Sequence, residues 1–384
     1  MKILIIYHAG ACDSARALYR EMASQPDVEL TVAVPSKIAV EAAYDPSGWF
    51  RLEREVECDG YRMIPVELND PRNYGAGFNR KALSRTIGSL KPDIIHVLDD
   101  PTSGYLHQVL WLSLLRSPRS KVLFYGFQNL PFRLGRRARL KWGLVWRRLA
   151  GGTAANTEVL DNLVAAGFPR HRPLRRIFWG IPTDAFCPMD RQQAKASLGL
   201  EFEQAVGYVG RLSPEKGLVV LLAAMLRLPA RVHCLLVGDG PMRAELELLS
   251  ASPPLTGRVH LVGAVPSADI ARYLSSADVL ALPSLTTPWW KEQFGRVIAE
   301  AMACGIPVVA SDSGAIPEVV GDAGLTVPEG APEALARALS AVLSDLPLRQ
   351  RLIAAGLKRA HEKLSAKAFA DRHVEFYKAL IGRS

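Results

Sequence analysis

Two carboxylates, Glu292 and Glu300, stand with seven residues between them in the stretch EQFGRVIAE. The Phe294-Gly295 step opens an apolar helix that runs on through AMAC and stops at Gly305. Unpaired amides at such a helix start, here Gly295, Arg296 and Val297, attract a diphosphate. Glu300 lies one turn further along and can accept from the hydroxyls of a ribose. Glu292 lies just before the helix and can accept from the hydroxyls of a hexose. Acids near a helix start are also favoured as plain solvated charges. Glu300, however, sits between Ala299 and Ala301, where a solvated face would carry more polar residues.

Two further segments could serve the same ligand. Gly210-Arg211-Leu212-Ser213-Pro214-Glu215-Lys216-Gly217 follows an apolar run and places two cations on one strand-to-helix loop. Arg211 by bidentate contact and Lys216 as a point charge can neutralise a diphosphate; the bland alternative is a solvated loop with a helix starting at Pro214. Val237-Gly238-Asp239-Gly240-Pro241 permits a tight turn close to a ligand, or an ordinary turn. Ser311-Asp312-Ser313-Gly314 is a further strand-to-helix turn, and Trp289 and Trp290 before Glu292 could stack on a sugar or simply pack.

The elements that must hold these residues repeat as strand, loop and helix. Strands are predicted at Lys2–Tyr7, Glu29–Val34, Tyr61–Val66, Ile94–Leu98 and Val122–Tyr125. After the stretch Phe178–Pro188 the pattern restarts at Ala205–Gly210, His233–Val237, Val259–Val262, Val279–Leu282 and Val308–Ala310. Short apolar runs separated by helical stretches read as parallel strands buried on both faces. The expected class is α/β, with two doubly wound Rossmann-like domains facing across a cleft and ligands beyond the carboxyl ends of the strands. The expected domains are 1–180 on the acceptor side, 181–365 on the donor side, and a last helix, 366–384, returning to the first. A chain of 384 residues is too long for one ordinary core.

Composition narrows the class. The longest apolar run, Leu218 to Leu226, is nine residues, far short of a bilayer span. The N-terminal MKILIIYHAG reads as a first buried strand rather than a leader. Five scattered cysteines without a CxxC pair read as reduced thiols in a cytoplasmic protein with no zinc site. The net charge of +9 is concentrated between Arg116 and Arg176, where fourteen Lys/Arg face only Glu158 and Asp161. Within it, Arg133, Arg136, Arg137, Arg139, Lys141, Arg147 and Arg148 surround an apolar stripe of Trp142, Val145, Trp146 and Leu149. The segment 133–148 suits an interfacial helix on an anionic membrane surface, or a stripe that packs on its own sheet. Nucleic acid is not expected, since no reading module accompanies the charge.

VGRLSPEKG, LVGDGP and EQFGRVIAEAMACGIPVVASDSGAIPEVV, in that order and spacing, resemble the nucleotide-sugar domain of retaining glycosyltransferase family 4, the group 1 type with the GT-B fold. The resemblance is dense over about 205–330. It implies a metal-independent hexosyltransferase without cofactor. Such an enzyme moves a sugar from a nucleotide-diphosphate donor to a hydroxyl of a sugar or lipid-linked acceptor, in polysaccharide, glycolipid or glycoconjugate synthesis. It implies that Arg211 and Lys216 meet the donor diphosphate, Glu292 the donor sugar and Glu300 the ribose. Gly210, Gly238, Phe294, Gly295, Arg296 and Val297 would complete the donor site, with Gly10 approaching from the first domain. The enzyme would sit in the cytoplasm, at the inner face of the membrane where the basic segment meets lipid.

The chain departs from the family in places. The first loop reads His8-Ala9-Gly10-Ala11-Cys12 instead of a Gly-Gly pair, and Gln128, followed by Asn129, stands where many members carry a His. An amide cannot serve as a general base. His8 and His96, near strand ends, could touch an acceptor or be structurally satisfied, and Asp99 and Asp100 could bind its hydroxyls. Two other readings remain on this frame: a nucleotide-sugar epimerase, and a donor-binding protein without chemistry.

Overall fold

The computed structural model describes residues 1–10, 12–40, 49–131, 135 and 142–382. The chain divides into two compact units, Met1–Gly180 with Ala366–Ser384, and Ile181–Ser365.

The first unit carries β1 (Lys2–Ile6), β2 (Glu29–Pro35), β3 (Lys37–Ala39), β4 (Trp49–Arg51), β5 (Val56–Cys58), β6 (Tyr61–Val66), β7 (Ile94–Val97), β8 (Lys121–Gly126), β9 (Gly151–Ala154) and β10 (Leu174–Arg176). Its main sheet has the order β10-β9-β8-β7-β1-β2-β6-β5, parallel except at β5, with β3 and β4 forming a separate antiparallel pair. The inner strands β1, β2, β7, β8 and β9 are buried on both faces, as the continuous apolar runs KILII and ELTVAV of β1 and β2 require. The second unit carries β11 (Gln204–Val209), β12 (Val232–Val237), β13 (Val259–Gly263), β14 (Val279–Leu282), β15 (Val308–Ser311) and β16 (Leu325–Val327). Its order β13-β12-β11-β14-β15-β16 is parallel throughout.

In both sheets the order reverses beside the first strand, between β1 and β7 and between β11 and β14. Helices leave such a pair of strands toward opposite faces, so a crevice opens at their carboxyl ends, and ligands of doubly wound sheets bind there. The long apolar strands are all legible in the sequence. The exceptions are instructive. In β9, the run Gly151-Gly152-Thr153-Ala154 lacks the side chains that mark a strand. A Cβ at Gly152 would lie 2.3 Å from the Phe124 ring, so the core itself demands the glycine.

The Ala366–Ile381 helix belongs to the first unit and packs on the Asp13–Ala23 helix. It buries His373 and Tyr377 against His96 of β7. His96, considered above as an acceptor contact, is thus a core residue. It is fully buried, its Nδ1 lies 2.5 Å from the Tyr377 hydroxyl, and its Nε2 lies 3.4 Å from Thr153 Oγ1. Both faces of β7 are covered, so no side chain of that strand reaches a ligand.

The Trp142, Val145, Trp146 and Leu149 stripe also belongs to this core. Trp142 is 8%, Trp146 2% and Leu149 0% exposed, and Val145 packs partly buried against them. The lipid-facing reading of that stripe is therefore corrected, since its apolar area is spent on β8, β9 and their covering helices. Arg133, Arg136, Arg137, Arg139 and Lys141 lie outside the described residues; Arg147 and Arg148 are exposed.

Burial lowers the pKa of His96 to about 3 and holds His373 well below its ordinary value. The unfolded chain therefore binds these two protons more readily than the folded one. The stability they allow is fully present above about pH 6.5 and is lost as pH falls below it, by up to ~1.4 kcal/mol per pH unit per histidine. Denaturant titrations between pH 7 and pH 5 should show this decline, and His96→Gln should make it shallower by about one proton. An equal slope in both proteins would refute the assignment.

Candidate active site

The second unit gathers polar groups at its switch point. The loop after β11 runs through Arg211 to a short turn, Pro214–Lys216; the loop after β14 runs through Ser284 to Glu292. Lys216 Nζ and Glu292 Oε2 meet at 2.8 Å, and Ser284 Oγ donates to the same oxygen at 2.9 Å. Glu292 is buried, at 7% exposure. The Lys216 ammonium also sits 4.5 Å above the Trp290 ring, a cation–π contact, whereas Trp289 points outward, 78% exposed.

Backbone contacts hold the two loops together. Leu285 N–H donates to the Glu215 carbonyl at 2.8 Å. A Cβ on Gly217 would lie 2.0 Å from the Pro283 carbonyl oxygen, so only glycine lets these chains approach. Tyr208 donates its hydroxyl to the Arg211 carbonyl at 2.7 Å, fixing the start of the loop. Arg211 is exposed. On the far side, the Glu292 carbonyl accepts from Ala315 N–H at 2.9 Å, and Ser313 Oγ lies 3.1 Å from Thr286 Oγ1. The turn after β15 is thereby joined to the same cluster.

Gly295 precedes the Arg296–Ala303 helix with a left-handed φ of 72°. That conformation turns the chain abruptly from the buried Phe294 into the helix and leaves the first amides at its start. A Cβ here would lie 3.5 Å from Glu292 Cγ, so Lys216, Glu292 and the helix start occupy one place. Val297 is half-buried. Glu300 is buried, at 3% exposure, and its Oε1 accepts from Arg296 Nε at 2.7 Å. Arg296 thus turns the Glu300 carboxylate toward the helix start.

Gly210 and Gly238 serve each other. A Cβ on Gly238 would lie 1.9 Å from the Gly210 carbonyl oxygen, and one on Gly240 2.4 Å from that of Leu212. The close approach that the sequence suggested is thus between the loops after β11 and β12, which positions Arg211. Similarly, Gly10 is required inside its own unit, where a Cβ would meet Val34 Cγ1 at 2.9 Å and the Tyr19 hydroxyl at 3.0 Å. Its neighbour Ala11 lies outside the described residues.

A second cluster marks the switch point of the first unit. His8, after β1, stacks on Tyr74 with ring centroids 4.0 Å apart, and its Nδ1 is 3.4 Å from the Tyr105 hydroxyl. Burial lowers the His8 pKa, and the nearby Asp99 charge partly offsets this. Asp99 joins this cluster: burial, then the Asp99 charge and its hydrogen bond, raise the pKa of the Tyr105 hydroxyl. Asp100 accepts from the Phe127 and Gln128 N–H groups, each at 2.9 Å. Burial pushes the Asp100 carboxyl up to about 6, moderated by those two N–H bonds and reinforced by Asp99. Gln128 is half-buried; Asn129 is buried, and its carbonyl accepts from Asn162 at 2.9 Å. Tyr74, Tyr105 and Ser284 were not singled out from the sequence. Ser284 could have been, since it directly follows a strand beside the reversal. Among the described residues no three His, Cys, Asp or Glu side chains gather so as to hold a metal ion.

Residues 190–359 match the family described as Glycosyl transferases group 1. A D-inositol 3-phosphate glycosyltransferase of Segniliparus rotundus is 35% identical over 216 residues, 53% of this chain and 46% of that protein. The chain spans about half the length of the first curated relatives it matches. A sucrose-phosphate synthase from Thermosynechococcus elongatus superposes with a TM-score of 0.75 at 22% identity, over 100% of both chains. Anabaena HepE in complex with UDP and glucose gives 0.73 at 20% identity, over 99% of this chain and 100% of that one. The fold is GT-B, and the second unit carries the group 1 family segment.

The Lys216–Glu292 pair is mostly shielded, with side chains 19% and 10% exposed. Removing one partner of such a pair is costly, while removing both leaves no stranded charge. Lys216→Met should destabilise the second unit by about 2 kcal/mol, and Lys216→Met with Glu292→Gln should recover most of it. Melting curves of the wild type, Lys216→Met, Glu292→Gln and the double variant test this; strictly additive effects would show that the contact carries no coupling.

Proposed function

We propose that this chain, with its group 1 glycosyl transferase segment, transfers a sugar from a nucleotide-diphosphate donor to a hydroxyl acceptor with retention at the anomeric carbon. The observation that carries this reading is the meeting of Lys216, Glu292 and the Gly295 helix start at the β11–β14 switch point. A diphosphate leaving group develops negative charge as the glycosidic bond breaks. Lys216, Arg211 and the amides at Gly295–Val297 are charges and dipoles already fixed where that charge would form, the most effective kind of transition-state stabilisation. They supply it without requiring a divalent ion, so the activity should persist in EDTA. Glu292, held by Ser284 and Lys216, is the acceptor for donor-sugar hydroxyls, and Glu300, oriented by Arg296, for those of the ribose.

The sugar's acceptor is assigned to the first unit's cluster. Asp99, Asp100 and the Tyr105 hydroxyl offer acceptors and a donor for hydroxyl groups there. The leaving phosphate can take the acceptor's proton on the same face, which accounts for retention without an enzyme nucleophile. An acceptor carried on a lipid at the inner face of the membrane belongs to the same proposal.

UDP, bound by the Anabaena neighbour, is the first nucleotide to test, alongside GDP and ADP. At about 100 times its Kd a donor should stabilise the protein by ~2.7 kcal/mol. Glu300→Gln should weaken nucleotide binding by roughly tenfold to a hundredfold, the worth of a hydrogen bond to a charged group. Glu292→Gln should spare nucleotide binding and lower turnover. Proton NMR of the product should show the donor's anomeric configuration. An epimer formed from donor alone, or nucleotide binding that never leads to turnover with any hydroxyl acceptor, would replace this reading.

A further inference from the structure

The helices Arg80–Leu90 and Gly104–Arg116 pack side by side on the first unit, and neither contains a carboxylate. Between them runs an open groove of about 850 Å³ whose lining includes Arg80, Lys81, Arg85 and Arg116. All four cations are exposed. The Arg116 Nε donates to Ser84 Oγ at 2.8 Å, which pins that guanidinium across the groove. Beside it, Trp111 and Leu115 are 63% and 76% exposed. They are four residues apart on one helix and share a face. Single exposed apolar side chains are ordinary, but here an indole and a leucine share one helix face and are edged by four cations, which makes an amphipathic patch.

We propose that this face docks on an anionic lipid bilayer, with Trp111 and Leu115 entering the headgroup–acyl boundary and the four cations pairing with lipid phosphates. Charge complementarity and amphipathicity together select this occupant. An acidic protein or a nucleic acid would also answer the cations, but exposed Arg and Lys set round an indole and a leucine on one helix face match an interface of phosphate over hydrocarbon in both respects. The long stems of Arg and Lys let their heads reach phosphate while Trp111 and Leu115 lie deeper. No helix among the described residues is long and apolar enough to cross a membrane, so the contact is peripheral. The inference replaces the buried Trp142–Leu149 stripe with a different surface, and it does not depend on the sugar-transfer reading.

Sedimentation with vesicles tests it, using phosphatidylcholine alone and phosphatidylcholine mixed with phosphatidylglycerol. The protein should bind only the anionic vesicles, and less as salt rises. Each cation near such a surface contributes about fivefold, so R80Q/R85Q/R116Q should weaken partitioning by on the order of a hundredfold. W111S/L115S should weaken it too. Both variants change exposed side chains and should keep the wild-type melting temperature. Trp111 should be quenched by brominated acyl chains, and Trp111→Phe should abolish that part of the quenching. Equal binding to neutral and anionic vesicles, or undiminished binding by both variants, would overturn the proposal. So would binding abolished by R147Q/R148Q but unaffected by the groove variants.

Discussion

The ion pair between Lys216 and Glu292 is the constraint on which the second unit's site depends. A doubly wound sheet sends the connections after β11 and β14 to opposite sides, and nothing in the sheet itself binds those loops to each other. The pair spans that gap at 2.8 Å, in surroundings shielded enough for the attraction to outlast solvent screening. Ser284 satisfies the same carboxylate oxygen and comes from the last residues before the loop diverges. One buried carboxylate thereby ties the loop after β11 to both ends of the loop after β14, and the backbone carbonyl of the same residue holds the turn after β15. The arrangement has a chemical consequence. An anion drawing on Lys216 would share it with the Glu292 carboxylate.

Glycines make that constraint possible. At Gly217, Gly238 and Gly240 the space for a Cβ is occupied by carbonyl oxygens of neighbouring loops, at 2.0, 1.9 and 2.4 Å. A backbone carbonyl cannot move aside as a side chain can. These positions set how closely the turns after β11, β12 and β14 nest, and hence where Arg211 and Lys216 emerge. Ligand approach and loop nesting both demand glycine, and a sequence alone does not separate them.

The α/β class and the ten long parallel strands were legible because buried parallel strands are continuous apolar runs, as in KILII or VHCLLV. Strands without such runs were not. β9 is Gly151-Gly152-Thr153-Ala154, and β10 and β16 are three residues each at sheet positions that need few apolar contacts. At the site, charged residues in strand-to-helix loops could be singled out, yet their partners could not. The Lys216–Glu292 contact joins residues 76 apart, and only the strand order brings them together. His96 shows the opposite limit. It lies at a strand's end in the sequence, but the returning Ala366–Ile381 helix covers it with His373 and Tyr377, a burial decided by residues 277 and more positions away. The Trp142–Leu149 stripe has a helical spacing that suits lipid and core equally, and only the neighbours decide.

The two switch points share a topology and differ in electrostatics. In the second unit a helix start stands beside Arg211, Lys216 and Arg296, and the carboxylates of Glu292 and Glu300 are engaged by Lys216 and Arg296. Such a place favours an anion. In the first unit the polar groups described are a histidine, phenols and carboxylates: burial lowers His8, raises Asp100 to about 6 and raises the Tyr105 hydroxyl. A place of that kind does little for a diphosphate but suits uncharged hydroxyls, which can donate to a carboxylate and accept from a phenol without a large desolvation cost. The same sheet geometry therefore yields one crevice tuned for charge and one tuned for hydrogen bonds.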